Sequence, residues 1–399
     1  MNSVVVHYKE LALKGKNRPW FVQILVRNLR RALTGLDVDT VRSVMGRIEI
    51  EFKADLDWDA IRGRISTVVG IANFSRAGRS TLDFHELAQA ILKDLGDIDV
   101  PSFRVSARRA DKRFPFTSPQ IEREVGGLIK AAKGWKVDLD HGALTIHLEI
   151  LPTHSFYFFG KEPGAGGLPS GTGGKLACLI SGGIDSPVAA FRMIRRGCRV
   201  LLIHFHSYPI LSRASQEKVR EIAAVLTRYQ QETRLVLVPF GEVQQQVVLL
   251  VKPEMRVIVY RRLMLRIAEK IALRWHARAL VTGEVVGQVA SQTLENLTAI
   301  AEASSLEILR PLVGMDKDEI AEQAARLGTL DISNIPDQDC CTLFTPRHPA
   351  TRARRDQVVL AEASLPIDAL VESALAGAVV EEFEFPVLEL AAGAATTPA

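Results

Sequence analysis

Beyond residue 175 the chain alternates short apolar runs with longer stretches whose apolar side chains recur at helical spacing. Residues 176–180, 200–205, 235–238 and 279–282 are almost uninterruptedly apolar, the pattern of strands buried on both faces. Residues 216–228 and 256–275 carry apolar side chains three and four apart, which predicts amphipathic helices between those strands. This alternation predicts an α/β domain with a mostly parallel sheet under helices on both faces. Ligands of such folds bind beyond the carboxyl ends of the strands, so chemistry is expected in the loops there.

The chain before residue 164 is patterned differently. Residues 4–6 and 47–52 read as strands with a helix at 21–33 between them, and residues 103–106 and 143–150 as strands around a helix at 118–132. This α+β pattern predicts two small modules, 1–59 and 60–165, ahead of the α/β domain at 166–399. Residues 164–174 form a linker too rich in glycine to hold a helix or strand. Gly174-Lys175 resembles the close of a Walker phosphate loop. That reading fails, because Leu176 stands where Ser or Thr must bind magnesium and Pro169 occupies the first glycine position.

Charge changes the picture. All 50 Lys and Arg residues lie before residue 356 and eight of the 46 acids lie after residue 355, so the first 355 residues carry +12 against +4 overall. A basic body with an acidic tail points to a polyanionic partner; a surface charged only for solubility is the alternative. No apolar run approaches the roughly 20 residues that span a bilayer. Met1-Asn2-Ser3-Val4 lacks the layout of a secretion signal, and four cysteines in 399 residues make no disulfide framework. A protein of the reducing cytoplasm, with no membrane partner, is the expectation.

The strand at 176–180 runs into Ser181-Gly182-Gly183-Ile184-Asp185-Ser186 and then Pro187. Two glycines let successive backbone N–H groups turn inward as a concave anion nest, and Ser181 and Ser186 add hydroxyl donors. Ser186 before Pro187 predicts an N-cap and a first helical residue, aiming the positive end of a helix at the anion. Val188, Ala189, Phe191 and Ile194 give that helix an apolar face, and Gly197 ends it. The loop resembles the pyrophosphate loop of the PP-loop ATPases, which split ATP into AMP and pyrophosphate by adenylating an oxygen of their substrate. By that resemblance Asp185 helps position Mg2+ and the phosphates.

Other segments are candidates to complete the pocket. His204-Phe205-His206-Ser207 closes the second strand, where adenine would rest against backbone and ring; the histidines themselves read more readily as bystanders than as groups with side-chain chemistry. Arg261 shares its helix with Arg256, Arg262 and Arg266, either a phosphate-facing row or a solvated basic face. Gly283-Glu284 follows the fourth strand, and residues 288–292 come next.

Cys178 and Cys198 lie in or beside apolar strands and read as small buried hydrophobes. Cys340 and Cys341 sit in the polar stretch 334–342, which reads as an accessible loop. No second pair stands at zinc-ligand spacing, so no structural metal is predicted. Arg347 and His348 favour a thiolate and Asp339 opposes it. A nucleophilic or sulfur-carrying thiol is the preferred reading, with an ordinary loop cysteine as the alternative.

With these residues assembled, the chain resembles the tRNA 4-thiouridine synthetases, the ThiI family, over nearly its whole length. Residues 8–18, with Lys14 and Lys16, are similar to that family's N-terminal ferredoxin-like segment. Residues 103–127, with Arg104, Arg108, Arg109, Lys112 and Arg113, resemble its THUMP RNA-binding domain. The loop at 181–187, His204 to Ser207, Tyr260 to Arg262, Gly283-Glu284, residues 287–293 and Asp339-Cys340-Cys341 match its PP-loop domain in order.

The resemblance implies a ferredoxin-like domain, a THUMP domain and an α/β PP-loop domain that act together on tRNA with ATP and Mg2+. Leu179, Ile180, Ser181, Gly182, Gly183, Asp185, Ser186, His204, Phe205, Arg261, Gly283 and Gln292 are the expected ATP contacts. Asp185, Cys340 and Cys341 are the expected catalytic residues. Longer family members carry a C-terminal rhodanese domain with the persulfide cysteine. Only a short tail follows Arg355 here, so the expected sulfur source is a separate donor such as a cysteine desulfurase, and the family's link to thiamine synthesis is not carried over. A homodimer is compatible with the sequence. The competing readings are a PP-loop enzyme that amidates or 2-thiolates its substrate, and a tRNA-binding protein with an inactive ATP site.

Overall fold

In the computed structural model, which describes residues 1–53, 57–336 and 350–387, Val4 and Val6 turn to one face of the first strand and enter a core. That strand, β1 (Ser3–His7), is followed by α1 (Arg18–Ala32), β2 (Val38–Val44), β3 (Arg47–Phe52), α2 (Trp58–Ser66) and β4 (Asn73–Ser80). The order β2-β3-β1-β4 is antiparallel throughout. The helix expected at 21–33 begins a turn earlier, where Pro19 supplies a preset φ in the first turn.

The chain continues through α3 (Phe84–Leu95), β5 (Ser102–Arg109), α4 (Ser118–Lys133), β6 (Lys136–Val137), β7 (Leu144–Ile150), β8 (Ser155–Phe158) and β9 (Glu162–Pro163). A reciprocal Thr117–Gln120 capping box starts α4, and Gly134 at φ 72° ends it. The strand β4 pairs with both β1 and β8, so one nine-stranded sheet serves both halves. The boundary expected after residue 59 would sever Ile61, Ile65 and Phe74 from the core they share with Val4, Leu25 and Ile50. The core shared by α2 and β4 carries the first module past that point.

The chain divides into two compact units, Met1–Pro169 and Ser170–Ala399. The second contains β10 (Lys175–Leu179), α5 (Asp185–Arg195), β11 (Arg199–His206), α6 (Ala214–Gln230), β12 (Glu232–Pro239), α7 (Gly241–Leu250), α8 (Arg256–Arg274), β13 (Ala279–Val281), α9 (Leu294–Ala301) and β14 (Glu307–Leu309). It ends with α10 (Lys317–Leu327), α11 (Leu330–Asn334), α12 (Arg355–Glu362), α13 (Ile367–Ala376) and β15 (Val379–Glu384). Strand order is β14-β13-β10-β11-β12-β15, with every pair parallel except β12/β15. The parallel ladder places the carboxyl ends of β10, β11, β13 and β14 along one edge. Within the acidic tail, residues 379–384 fold back as the antiparallel strand β15.

Candidate active site

The strand β10 delivers the glycine loop to that edge, and two serines brace it. The Ser181 N–H donates to Ser186 Oγ at 2.9 Å, the Gly183 N–H donates to Ser181 Oγ at 3.3 Å, and the two hydroxyl oxygens lie 3.2 Å apart. Ser186 is not the N-cap expected of it. The helix α5 starts at Asp185, so Ser186 sits inside its first turn and its hydroxyl secures the loop. Gly283 is obligatory for a steric reason: a Cβ there would lie 2.8 Å from the Ser186 backbone nitrogen.

The loop opens on a cavity of about 290 Å3. Leu179, Ile180, Ser181, Asp185 and Ser186 form one wall; His204, Phe205, Arg261, Gly283 and Gln292 form the rest, joined by Met264, Leu265, Thr282, Glu284 and Ile300. The expected contacts Gly182 and Gly183 belong to the loop backbone and do not line the cavity. Met264, Leu265 and Ile300 supply an apolar wall suited to a flat ring. Helical periodicity could not single them out from core residues.

Burial raises the Asp185 carboxyl above its ordinary value, opposed by a hydrogen bond from Gln288 Nε2 at 3.1 Å and by the charge of Lys317. Glu284, the other carboxylate of the cavity, accepts from Arg261 Nη1 at 2.8 Å, Arg310 Nε at 2.8 Å and Thr282 Oγ1 at 2.9 Å. Asp185 is therefore the carboxylate placed to meet a cation beside the loop. Among the described residues no group of three or more His, Cys, Asp or Glu is placed to hold a metal alone. One carboxylate plus phosphate oxygens is how Mg2+ is commonly held, so these residues fit the ion together with a nucleotide. Arg310, just past β14, and Lys317, at the start of α10, stand outside every motif in the sequence, and local pattern could not have found them.

The remaining candidates separate. His204 is buried; its Nδ1 donates to the Ile180 carbonyl at 3.0 Å and its Nε2 lies 3.4 Å from Ser215 Oγ, so the ring braces the loop entrance. Of the arginines on α8, only Arg261 lines the cavity. Arg256 donates to the Val248 and Val251 carbonyls, and Arg262 and Arg266 both grip Glu362. Burial pushes the Cys178 thiol up to about 12 and raises Cys198 as well, which keeps both inert. Cys340 and Cys341, with Arg347 and His348, lie outside the described residues. On the near side of that segment, the Ser333 hydroxyl donates to the Gly183 carbonyl at 3.3 Å. On the far side, Ala350 O and the Ala353 N–H bind Asn296, next to the 290–292 turn.

In the first unit the basic candidates also differ. Lys14 sits over the Phe21 ring at 5.0 Å, and Lys16 is exposed. Arg104 donates to Thr145 Oγ1 at 2.9 Å from the same face of β5 as exposed Arg108. Arg109 turns onto the Lys112, Phe114 and Phe116 carbonyls, bracing its own loop. Arg113 is paired with Asp111, whose carboxyl its guanidinium holds at about 2. Of the basic candidates between residues 104 and 113, Arg108 and Lys112 are the exposed ones whose side chains make no hydrogen bond to protein among the described residues.

A mostly parallel sheet with an anion loop at its carboxyl edge and a cavity beyond it, preceded in the chain by two α+β modules, defines an α/β PP-loop domain with an α+β N-terminal unit. Residues 171–367 match the thiamine biosynthesis protein (ThiI) family, residues 3–75 the ThiI ferredoxin-like domain and residues 79–156 the THUMP domain. The chain belongs to the ThiI family of tRNA sulfurtransferases. It is 44% identical over 383 residues to the probable tRNA sulfurtransferase of Thermus thermophilus, covering 95% of this chain and 93% of that one. The probable tRNA sulfurtransferase of Moorella thermoacetica is 42% identical over 374 residues, 94% and 95% of the two chains. A crystal structure of a 4-thiouridine synthetase–RNA complex with bound ATP is 37% identical with a TM-score of 0.87, covering 96% of this chain and all of that one. The structure of PH1313 from Pyrococcus horikoshii is 25% identical with a TM-score of 0.62, covering 82% and 100%.

Proposed function

We propose that this protein is an ATP-dependent tRNA sulfurtransferase that converts the uridine at position 8 of tRNA to 4-thiouridine. The observation that carries the reading is the cavity at the sheet's carboxyl edge, where the braced loop, Asp185, Arg261, Gly283 and Gln292 converge. ATP lies with its adenine against Phe205, Met264 and Ile300 and its phosphates at the loop. The uracil O4 attacks the α-phosphorus; the P–O bond to pyrophosphate breaks, and the loop N–H groups take the leaving charge. Arg261 and Lys317 add positive charge at the phosphate end. Asp185 would hold Mg2+ beside the loop, and the bound ion would screen the triphosphate.

The terminal sulfur of a persulfide then attacks C4 and AMP leaves. A second thiol attacks the carrier sulfur of the resulting S–S bond, which frees 4-thiouridine and leaves a disulfide for an external thiol reductant to reopen. Cys340 or Cys341 receives the terminal sulfur from a separate donor such as a persulfidated cysteine desulfurase. The ferredoxin-like and THUMP modules hold the tRNA, with Arg108 and Lys112 on phosphates. Among the described residues no helix is long and apolar enough to cross a membrane.

The test is nucleoside mass spectrometry on unmodified tRNA incubated with the protein, ATP, Mg2+ and either sulfide or a desulfurase with cysteine. The expected product is 4-thiouridine, lost in Asp185→Ala. Cys340→Ser or Cys341→Ser should fail with the desulfurase and work with sulfide, which identifies the carrier. Binding of tRNA without any thiolated nucleoside would instead support a binding protein.

A further inference from the structure

The cavity's two carboxylates are built for different tasks. Asp185 faces the loop and takes one amide hydrogen bond, from Gln288. Glu284 has both oxygens engaged: Arg261 on Oε1, and Arg310 and Thr282 on Oε2, all within 2.9 Å. The three donors come from α8, from the end of β14 and from the end of β13, so the carboxylate is fixed from three directions. Both of its oxygens are engaged in hydrogen bonds, and it joins two guanidinium groups that would otherwise repel each other. A lone arginine at a cavity wall samples many rotamers, and ordering it on a ligand costs entropy. An arginine already held by one edge presents the other preorganised.

We propose that Glu284 is a positioning residue of the adenylation step: it holds Arg261 so that the remaining edge of the guanidinium meets the triphosphate, while Arg310 and Thr282 lock Glu284. The inference rests on the assignment of this cavity to ATP. A purely structural role predicts something else. Arg310 Nη2 is buried without a hydrogen-bond partner among the described residues, and Glu284 would then serve only to neutralise that side chain.

The experiment is AMP formation at saturating tRNA with varied ATP, with thermal melting of each protein. The variants are Arg261→Ala, Glu284→Gln, Glu284→Asp and the double variant Glu284→Gln/Arg310→Met. Glu284→Gln is expected to lower kcat/KM for ATP on the order of 10- to 100-fold, as for loss of one charge-assisted hydrogen bond, with KM for tRNA, read in the converse titration at saturating ATP, unchanged. The double variant should melt like the wild type yet remain impaired toward ATP. Recovered ATP turnover in the double variant would overturn the proposal, and so would normal turnover in Glu284→Gln beside an impaired Arg261→Ala. If Glu284→Gln does not fold, Glu284→Asp carries the test: it keeps the charge with a shorter reach, and ordinary ATP kinetics there would equally overturn it. Normal ATP kinetics in Arg261→Ala would remove the ATP assignment itself, and the proposal with it.

Discussion

Of the five arginines along α8, four show how different the surroundings of like side chains can be. Arg256 caps the carbonyls at the end of α7, Arg262 and Arg266 share Glu362, and Arg261 alone lines the cavity. Sequence shows the charges but not the partners, because Glu362 lies a hundred residues from Arg262. Asp185 offers a test at this scale. Its carboxyl is raised by burial and lowered by Gln288, and it must be ionised to meet a cation. Activity should therefore fall as pH drops through its pKa. Gln288→Leu removes the stabilising hydrogen bond, so the acid limb of kcat/KM for ATP should move to higher pH; an unmoved limb would detach Gln288 from Asp185. Gly283→Ala would bring a Cβ to 2.8 Å from Ser186 N, and the loop would have to shift. Calorimetry should find ATP affinity lower by about 10-fold or more.

Among the elements, those with strong local signals match their patterns most closely. The sequence marks 256–275 as a helix, and α8 covers 256–274; it marks 47–52 as a strand, and β3 covers those residues. The elements it leaves unread are held by distant partners. The strand β15 leaves its acids and valines exposed or half-exposed, a weak pattern, and what fixes it is pairing with β12 plus the Arg220–Glu381 and Arg234–Glu382 ion pairs. The helix α12 is tied to α8 through Glu362, where burial would raise the carboxyl and the two guanidinium groups more than reverse this. Removing one partner leaves buried charge uncompensated, so Glu362→Gln should destabilise the protein by about 3–5 kcal/mol, read from urea unfolding at neutral pH. Glu382→Gln, on an exposed pair, should change it by less than about 1 kcal/mol.

For the whole molecule, the first unit carries an acid-labile feature. Burial, with Lys161 and Arg104, lowers His147 from 6.5 to about 4; burial, with Arg79 and Arg42, does the same to His154. Both histidines are neutral when folded. Between about pH 4 and pH 6.5 the unfolded chain therefore binds more protons, and the stability they contribute, complete above 6.5, declines on acidification. Urea midpoints should fall across that window, and His147→Gln should flatten the fall. RNA binding has its own measure at this scale. Replacing Arg108 and Lys112 should weaken tRNA binding and reduce its salt slope by roughly 1 for each phosphate left without its cation; an unchanged slope would remove these residues from the footprint. The sequence by itself determined the α+β and α/β halves, the glycine loop and the segments that border the cavity, because side-chain periodicity and glycine freedom act over a few neighbouring residues. Only the tertiary structure decided that Ser186 braces the loop, that Glu284 joins Arg261 to Arg310, that α2 and β4 complete the first module and that the acidic tail closes the sheet. Those outcomes depend on which groups long-range packing brings within hydrogen-bond distance, and that distance is not written in local pattern.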